Sequence, residues 1–122
     1  MSKHRLGKSL SIDLYGCKGS GLDNKEFVED LLQHAAKEAK ATVLNIYVHQ
    51  FSPQGITGVI AISESHMAVH TWPEYDFVSV DIYTCGDIAM PDKAKDYVIK
   101  KLQPQRHEIK EQTRGNAIFL DK

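Results

Sequence analysis

The sequence predicts an α+β fold, a two-layer α/β sandwich in which an antiparallel sheet carries two helices on one face. Three observations lead there. Several segments alternate apolar and polar residues with a period of two, two segments carry an apolar stripe at helical spacing, and Gly- or Pro-rich turns separate the segments. The first alternating segment is Ser9 to Tyr15, where Leu10, Ile12 and Leu14 interleave with Ser9, Ser11, Asp13 and Tyr15. Gly16, Gly19 and Gly21 supply the following turn. Asp23 reads as a helix N-cap with Glu26 as its capping-box partner. Phe27, Val28, Leu31, Leu32, Ala35, Ala36 and Ala39 then form one stripe, with Lys25, Glu29, Lys37 and Lys40 opposite, so an amphipathic helix ending near residue 40 is expected.

Val43 to Val48 reads as a strand, closed by Pro53 and Gly55. Val59 to Ile62 is expected to be a short strand, and His66 to Trp72 another after a local irregularity. Pro73 to Asp76 makes a turn before Phe77 to Tyr83, where Val78, Val80 and Ile82 alternate with Phe77, Ser79, Asp81 and Tyr83. Pro91 suits the first turn of a second helix with the stripe Ala94, Tyr97, Val98 and Leu102. Arg106 to Glu111 and Ala117 to Leu120 read as weaker closing strands.

The chain has 122 residues, 42% of them hydrophobic and 25% charged, which is enough for one domain, residues 1–122, with a single core. Its formal net charge of −1 lacks the basic excess of a nucleic-acid footprint or a polybasic membrane patch. No apolar run approaches the roughly 18 residues of a membrane span. Lys3, His4, Arg5 and Lys8 are not followed by the apolar core of a signal peptide. Two cysteines, Cys17 and Cys85, are too few for a disulfide scaffold, so a cytoplasmic location is expected.

Reactive side chains crowd into Ile62-Ser63-Glu64-Ser65-His66-Met67-Ala68-Val69-His70-Thr71-Trp72-Pro73-Glu74-Tyr75. In an extended segment His66, Ala68, His70 and Trp72 share a face. A zinc site would draw on His66, His70 and Glu64, Glu74 or Cys85, but the spacing is not H-E-x-x-H and there is no C-x-x-C, so no metal is expected. A serine hydrolase would need a G-x-S-x-G elbow around Ser63 or Ser65, which is missing. Cys85, before Gly86 at a strand end, could present a nucleophilic thiol or simply pack. Ordinary structural histidines are the fourth reading. Two serines, a glutamate, two histidines on one face and a downstream cysteine are excessive for a packing strand.

Ile62-Ser63-Glu64-Ser65-His66, His70-Thr71-Trp72-Pro73-Glu74-Tyr75 and Thr84-Cys85-Gly86 together resemble the short prokaryotic S-adenosylmethionine decarboxylases. The similarity spans nearly the whole chain in element order and is densest between residues 51 and 86, including Phe51, Pro53, Gly55 and Gly58-Val59. The resemblance implies a proenzyme that makes its own pyruvoyl cofactor from Ser65 by autocatalytic cleavage between Glu64 and Ser65. Ser65 Oγ would attack the Glu64 carbonyl, a hydroxyl would stabilise the oxyanion, and loss of the Ser65 α-proton would release the ester. His70 corresponds to the family's processing histidine. Where the family usually has serine, this chain has Thr57, which keeps the hydroxyl and adds a methyl.

The resemblance further implies a Schiff base between substrate amine and pyruvoyl ketone, with Cys85 as the proton donor after decarboxylation. Phe51 would stack on adenine, Glu74 would hold the ribose hydroxyls, and Tyr15 is a weaker candidate for the base's other side. A homodimer is implied, with Ser65 and Cys85 of one subunit meeting Phe51, Thr57, His70 and Glu74 of the other. The expected function is S-adenosylmethionine decarboxylation for polyamine synthesis. The alternatives are decarboxylation of arginine or ornithine by the same machinery, and an unprocessed regulatory homologue.

Overall fold

The computed structural model describes residues 5–18, 21–63, 65–85 and 91–116. The chain runs β1 (Arg5–Tyr15), α1 (Lys25–Glu38), β2 (Val43–Gln50), β3 (Ile56–Ile62), β4 (Ser65–Trp72), a 3₁₀ turn (Pro73–Tyr75), β5 (Phe77–Cys85), α2 (Pro91–Leu102) and β6 (Arg106–Asn116). The six strands form one sheet in the order β2-β3-β4-β5-β1-β6, and every neighbouring pair is antiparallel. Strands β2 to β5 follow one another directly, whereas β1 lies between β5 and β6. Each helix therefore bridges strands that are not neighbours. Helix α1 crosses from β1 to the far edge strand β2, and α2 crosses from β5 to β6; the two helices pack against each other. This is the expected two-layer sandwich.

Period-two alternation decides which side chains the helices cover. Leu10, Ile12 and Leu14 of β1, Ile56, Ile60 and Ile62 of β3, Met67 and Val69 of β4, and Val78, Val80 and Ile82 of β5 are buried in one core. Val28, Leu31, Leu32, Ala35 and Ala36 of α1 and Ala94, Val98 and Leu102 of α2 complete it. Gly58 lets α1 approach the sheet, because a Cβ there would lie 2.8 Å from Leu32 Cδ1 and 3.1 Å from Val28 Cγ1.

Three expectations need correction. The N-cap of α1 is Asn24, whose side chain accepts from the Phe27 N–H, and not Asp23. Asp23 is engaged elsewhere: its carboxylate accepts from the Gly55 N–H at 2.8 Å and its carbonyl from the Gln50 amide at 2.7 Å. Strand β3 begins at Ile56, so Gly58 lies inside the strand. A single strand, β6, replaces the first of the two weak closing strands and reaches Asn116; Ala117 to Leu120 lie outside the described residues.

Candidate active site

The sheet's second face, opposite the helices, carries most of the residues of interest in cross-strand rows, whereas Ser65 is in register with buried Thr84. One row runs His49, Thr57, His70, Ser79, Asp13 and Glu108; its neighbour towards the β4–β5 turn contains Trp72, Phe77, Tyr15 and Arg106. At the other end, His66, Tyr83 and Ser9 form a row, and Cys85 pairs with Gly7 beyond it. As expected, His66, Ala68, His70 and Trp72 alternate with the buried Met67, Val69 and Thr71.

At one end, Thr57 Oγ1 lies 3.0 Å from His70 Nδ1, and both groups are half-buried. The β3–β4 register places them opposite each other. Thr71, on the buried side of the same strand, locks this end: its Oγ1 accepts from the Ile56 N–H at 2.9 Å and donates to the Leu22 carbonyl at 2.7 Å. Gly55 completes the turn at φ 103°, which favours glycine. Phe51 follows the end of β2, is exposed, and meets His49 edge-on with centroids 4.5 Å apart. Glu74 is exposed in the 3₁₀ turn that continues β4.

Beside them, aromatic rings form a continuous series. His70 and Trp72 lie 6.2 Å apart between centroids, Trp72 and Phe77 5.4 Å, and Phe77 and Tyr15 5.1 Å. Tyr15 is fixed from β6, with the Arg106 guanidinium 3.9 Å above its ring and its hydroxyl donating to Glu108 at 3.4 Å. Tyr15, Trp72, Tyr75 and Phe77 line an open recess of about 310 Å³, near the lower end of small-molecule sites. Trp72, Tyr75 and Phe77 were not singled out as binding residues from sequence. Their alternation was visible, but the register that aligns Trp72, Phe77 and Tyr15 is a tertiary property.

At the other end, Ser65 opens β4 and pairs with Thr84, the neighbour of Cys85. The Cys85 N–H donates to Ser65 Oγ at 3.4 Å, and both residues are half-buried. Glu64, the residue before the expected cut, lies outside the described residues. Thus Ser65 and Cys85 come together, and Thr57, His70, Phe51, Glu74 and Tyr15 gather at the opposite end. Ser65 and His70 are five positions apart on β4, a span of about 16 Å at the usual strand rise. Among the described residues no three metal-ligating side chains converge, and no helix is long and apolar enough to cross a membrane. The other thiol, Cys17, is buried, and that burial together with the nearby Asp76 charge pushes its pKa up to about 11.

Residues 8–115 match the family model described as S-adenosylmethionine decarboxylase. The chain belongs to this family of carboxy-lyases. It is 40% identical to an S-adenosylmethionine decarboxylase proenzyme of Prochlorococcus marinus over 115 residues, covering 94% of each chain. A proenzyme of the same name from Thermosipho melanesiensis is 44% identical, over 90% of this chain and 85% of its own length. Among solved structures, the adenosylmethionine decarboxylase of Aquifex aeolicus superposes with a TM-score of 0.85 at 39% identity, covering 91% of this chain and 92% of that one. The Trypanosoma brucei AdoMetDC-delta26 monomer superposes with a TM-score of 0.64 at 17% identity over 84% of this chain and 44% of that one, a likeness of fold alone. The family expectation drawn from the Ser-Glu-Ser-His, His-Thr-Trp-Pro-Glu-Tyr and Thr-Cys-Gly motifs is borne out.

Proposed function

We propose that this chain is a self-cleaving proenzyme whose mature form decarboxylates S-adenosylmethionine for polyamine synthesis, at a site completed by two protomers. The observation that carries the shared site is the separation of Ser65 and Cys85 from Thr57 and His70 along the length of the sheet. A proton transfer needs its partners within hydrogen-bond reach or one water apart, which about 16 Å does not allow. A second copy with its open face turned over the first brings Thr57 and His70 of one protomer to Ser65 and Cys85 of the other. The exposed apolar side chains of that face, including Tyr47, Phe51, Val59 and Trp72, support such a pairing.

In processing, Ser65 Oγ attacks the Glu64 carbonyl, and the Thr57 hydroxyl across the interface donates to the developing oxyanion. His70, held by Thr57, moves the Ser65 α-proton as the ester is eliminated. Cutting the chain before Ser65 opens the β3–β4 connection but leaves β4 paired with β3 and β5, so residue 65 stays in place with the Cys85 N–H beside it. These residues suit a pyruvoyl group made from Ser65. Such a group supplies a ketone that captures the substrate amine and a carbonyl that accepts the electron pair released with CO2. Cys85 then delivers a proton to the carbon that lost the carboxylate. Phe51 and the Tyr15 recess offer aromatic surface to the adenine, and Glu74 offers a carboxylate to the ribose hydroxyls. Two free cysteines, one of them a working thiol, support a cytoplasmic setting.

The test is complementation between two inactive variants. Ser65→Ala and His70→Ala are each expected to remain uncleaved by intact-mass spectrometry, whereas mixed dimers formed by co-expression are expected to yield cleaved chains and CO2 from carboxyl-labelled S-adenosylmethionine. Absence of cleavage in the mixture would remove the shared site. Normal cleavage of His70→Ala alone would remove His70 from processing. Release of CO2 from arginine or ornithine, but not from S-adenosylmethionine, would overturn the substrate assignment.

A further inference from the structure

Cys85 has a companion that the proposed reaction does not yet use. Tyr83 stands two positions before Cys85 on β5, so both side chains lie on the open face. Interaction with the Cys85 side chain, opposed by the Arg114 charge, pushes the pKa of the Tyr83 phenol up. Two further contacts hold the ring. His66 stacks on it with centroids 5.6 Å apart and planes 29° from parallel, and the Arg114 guanidinium carbon lies 5.5 Å from its centroid. Arg114 is itself tethered by a 3.3 Å hydrogen bond to Ser9 Oγ.

The strand opposite is cut away to admit the hydroxyl. Gly7 pairs directly with Cys85, and a Cβ at Gly7 would lie only 2.7 Å from the Tyr83 hydroxyl and 2.9 Å from the Thr84 carbonyl. The missing side chain at Gly7 is thus the space that the phenol hydroxyl occupies, over the residue that pairs with Cys85.

We propose that Tyr83 is a positioning residue for Cys85, its hydroxyl donating to the sulfur to aim the thiol and to stabilise the thiolate left after proton delivery. In that delivery the S–H bond breaks with its electron pair staying on sulfur. The new C–H bond uses the pair released by the departing carboxylate, and water then restores the thiol proton. The inference rests on Cys85 being the proton donor, but its main test does not.

Processed protein is treated with iodoacetamide over a range of pH, and modification at each cysteine is followed by peptide mass spectrometry. A donor to the thiolate favours the charged form. Tyr83→Phe is therefore expected to move the Cys85 profile to higher pH and to slow its alkylation at neutral pH by roughly fivefold. Buried Cys17, with its pKa near 11, is the internal control and is expected not to change. Gly7→Ala, which displaces the phenol while keeping it in the chain, is expected to shift Cys85 in the same direction. In turnover, Tyr83→Phe is expected to release CO2 roughly fivefold more slowly, with self-cleavage retained. Cys85 profiles that overlay the parent's in both variants would overturn the proposal. Failure of the Cys85 assignment reads differently: Cys85→Ala would then keep its full turnover while the alkylation shift in Tyr83→Phe persisted.

Discussion

Thr57 is the residue whose chemistry turns on a single group, a hydroxyl held 3.0 Å from His70 Nδ1. If that hydroxyl serves the oxyanion of processing, Thr57→Val is expected to slow self-cleavage about a hundredfold or more, whereas Thr57→Ser keeps it, in an intact-mass time course. Cys17 provides a second expectation at this scale. Its folded pKa of about 11 exceeds the ordinary 9.0, because burial and the Asp76 charge disfavour the thiolate. The thiol form is thus favoured in the folded chain, and its stabilising effect is complete below pH 9.0, declining as pH rises towards about 11. Cys17→Ala is expected to flatten the alkaline loss of stability across that interval, measured by urea denaturation at several pH values. Both cysteines were visible in the sequence, but only Cys85 carried a motif; the burial of Cys17 comes from the packing around it.

The helices and strands were legible because their signal is local. Alternation at Phe77 to Tyr83 and the stripe from Val28 to Ala36 each record which side faces the core, and the structure buries those side chains. The cap of α1 shows where local reading falls short. Asp23 and Asn24 are both competent caps, and the choice between them depends on Gly55, 32 positions away, whose N–H engages the Asp23 carboxylate. Asn24→Ala is expected to cost about 1 kcal/mol in urea denaturation with self-cleavage intact. Leu32→Ala removes a fully buried side chain over Gly58 and is expected to cost about 2–5 kcal/mol by the same measurement.

At the scale of the molecule, one face of the sheet is covered by helices, the other is open, and the two halves of the candidate site lie at opposite ends of the sheet. Val59 lies on that open face, between Tyr47 and Ala68 in the register, and is exposed. A charge there has little to disturb within one chain but would be buried between two. If two copies pair through this face as proposed, Val59→Asp is expected to leave a monomer in light scattering and to stop self-cleavage, while circular dichroism stays unchanged. A monomer that still cleaves itself would place processing within one chain.

The sequence by itself determined the order and kind of the elements, the family, and the set of chemical groups from Ser65 to Cys85. Those properties follow from periodicity and from motifs whose members are close neighbours along the chain. Tertiary structure decided the strand order, which seats β1 between β5 and β6, and the register, which sets Thr57 against His70 and Gly7 against Cys85. Register is fixed by the whole buried face acting at once, since a slip of one residue would turn every core side chain outward. It is this collective constraint that divides the reactive residues between two ends of the sheet and lays the Tyr83 hydroxyl over Gly7, opposite Cys85.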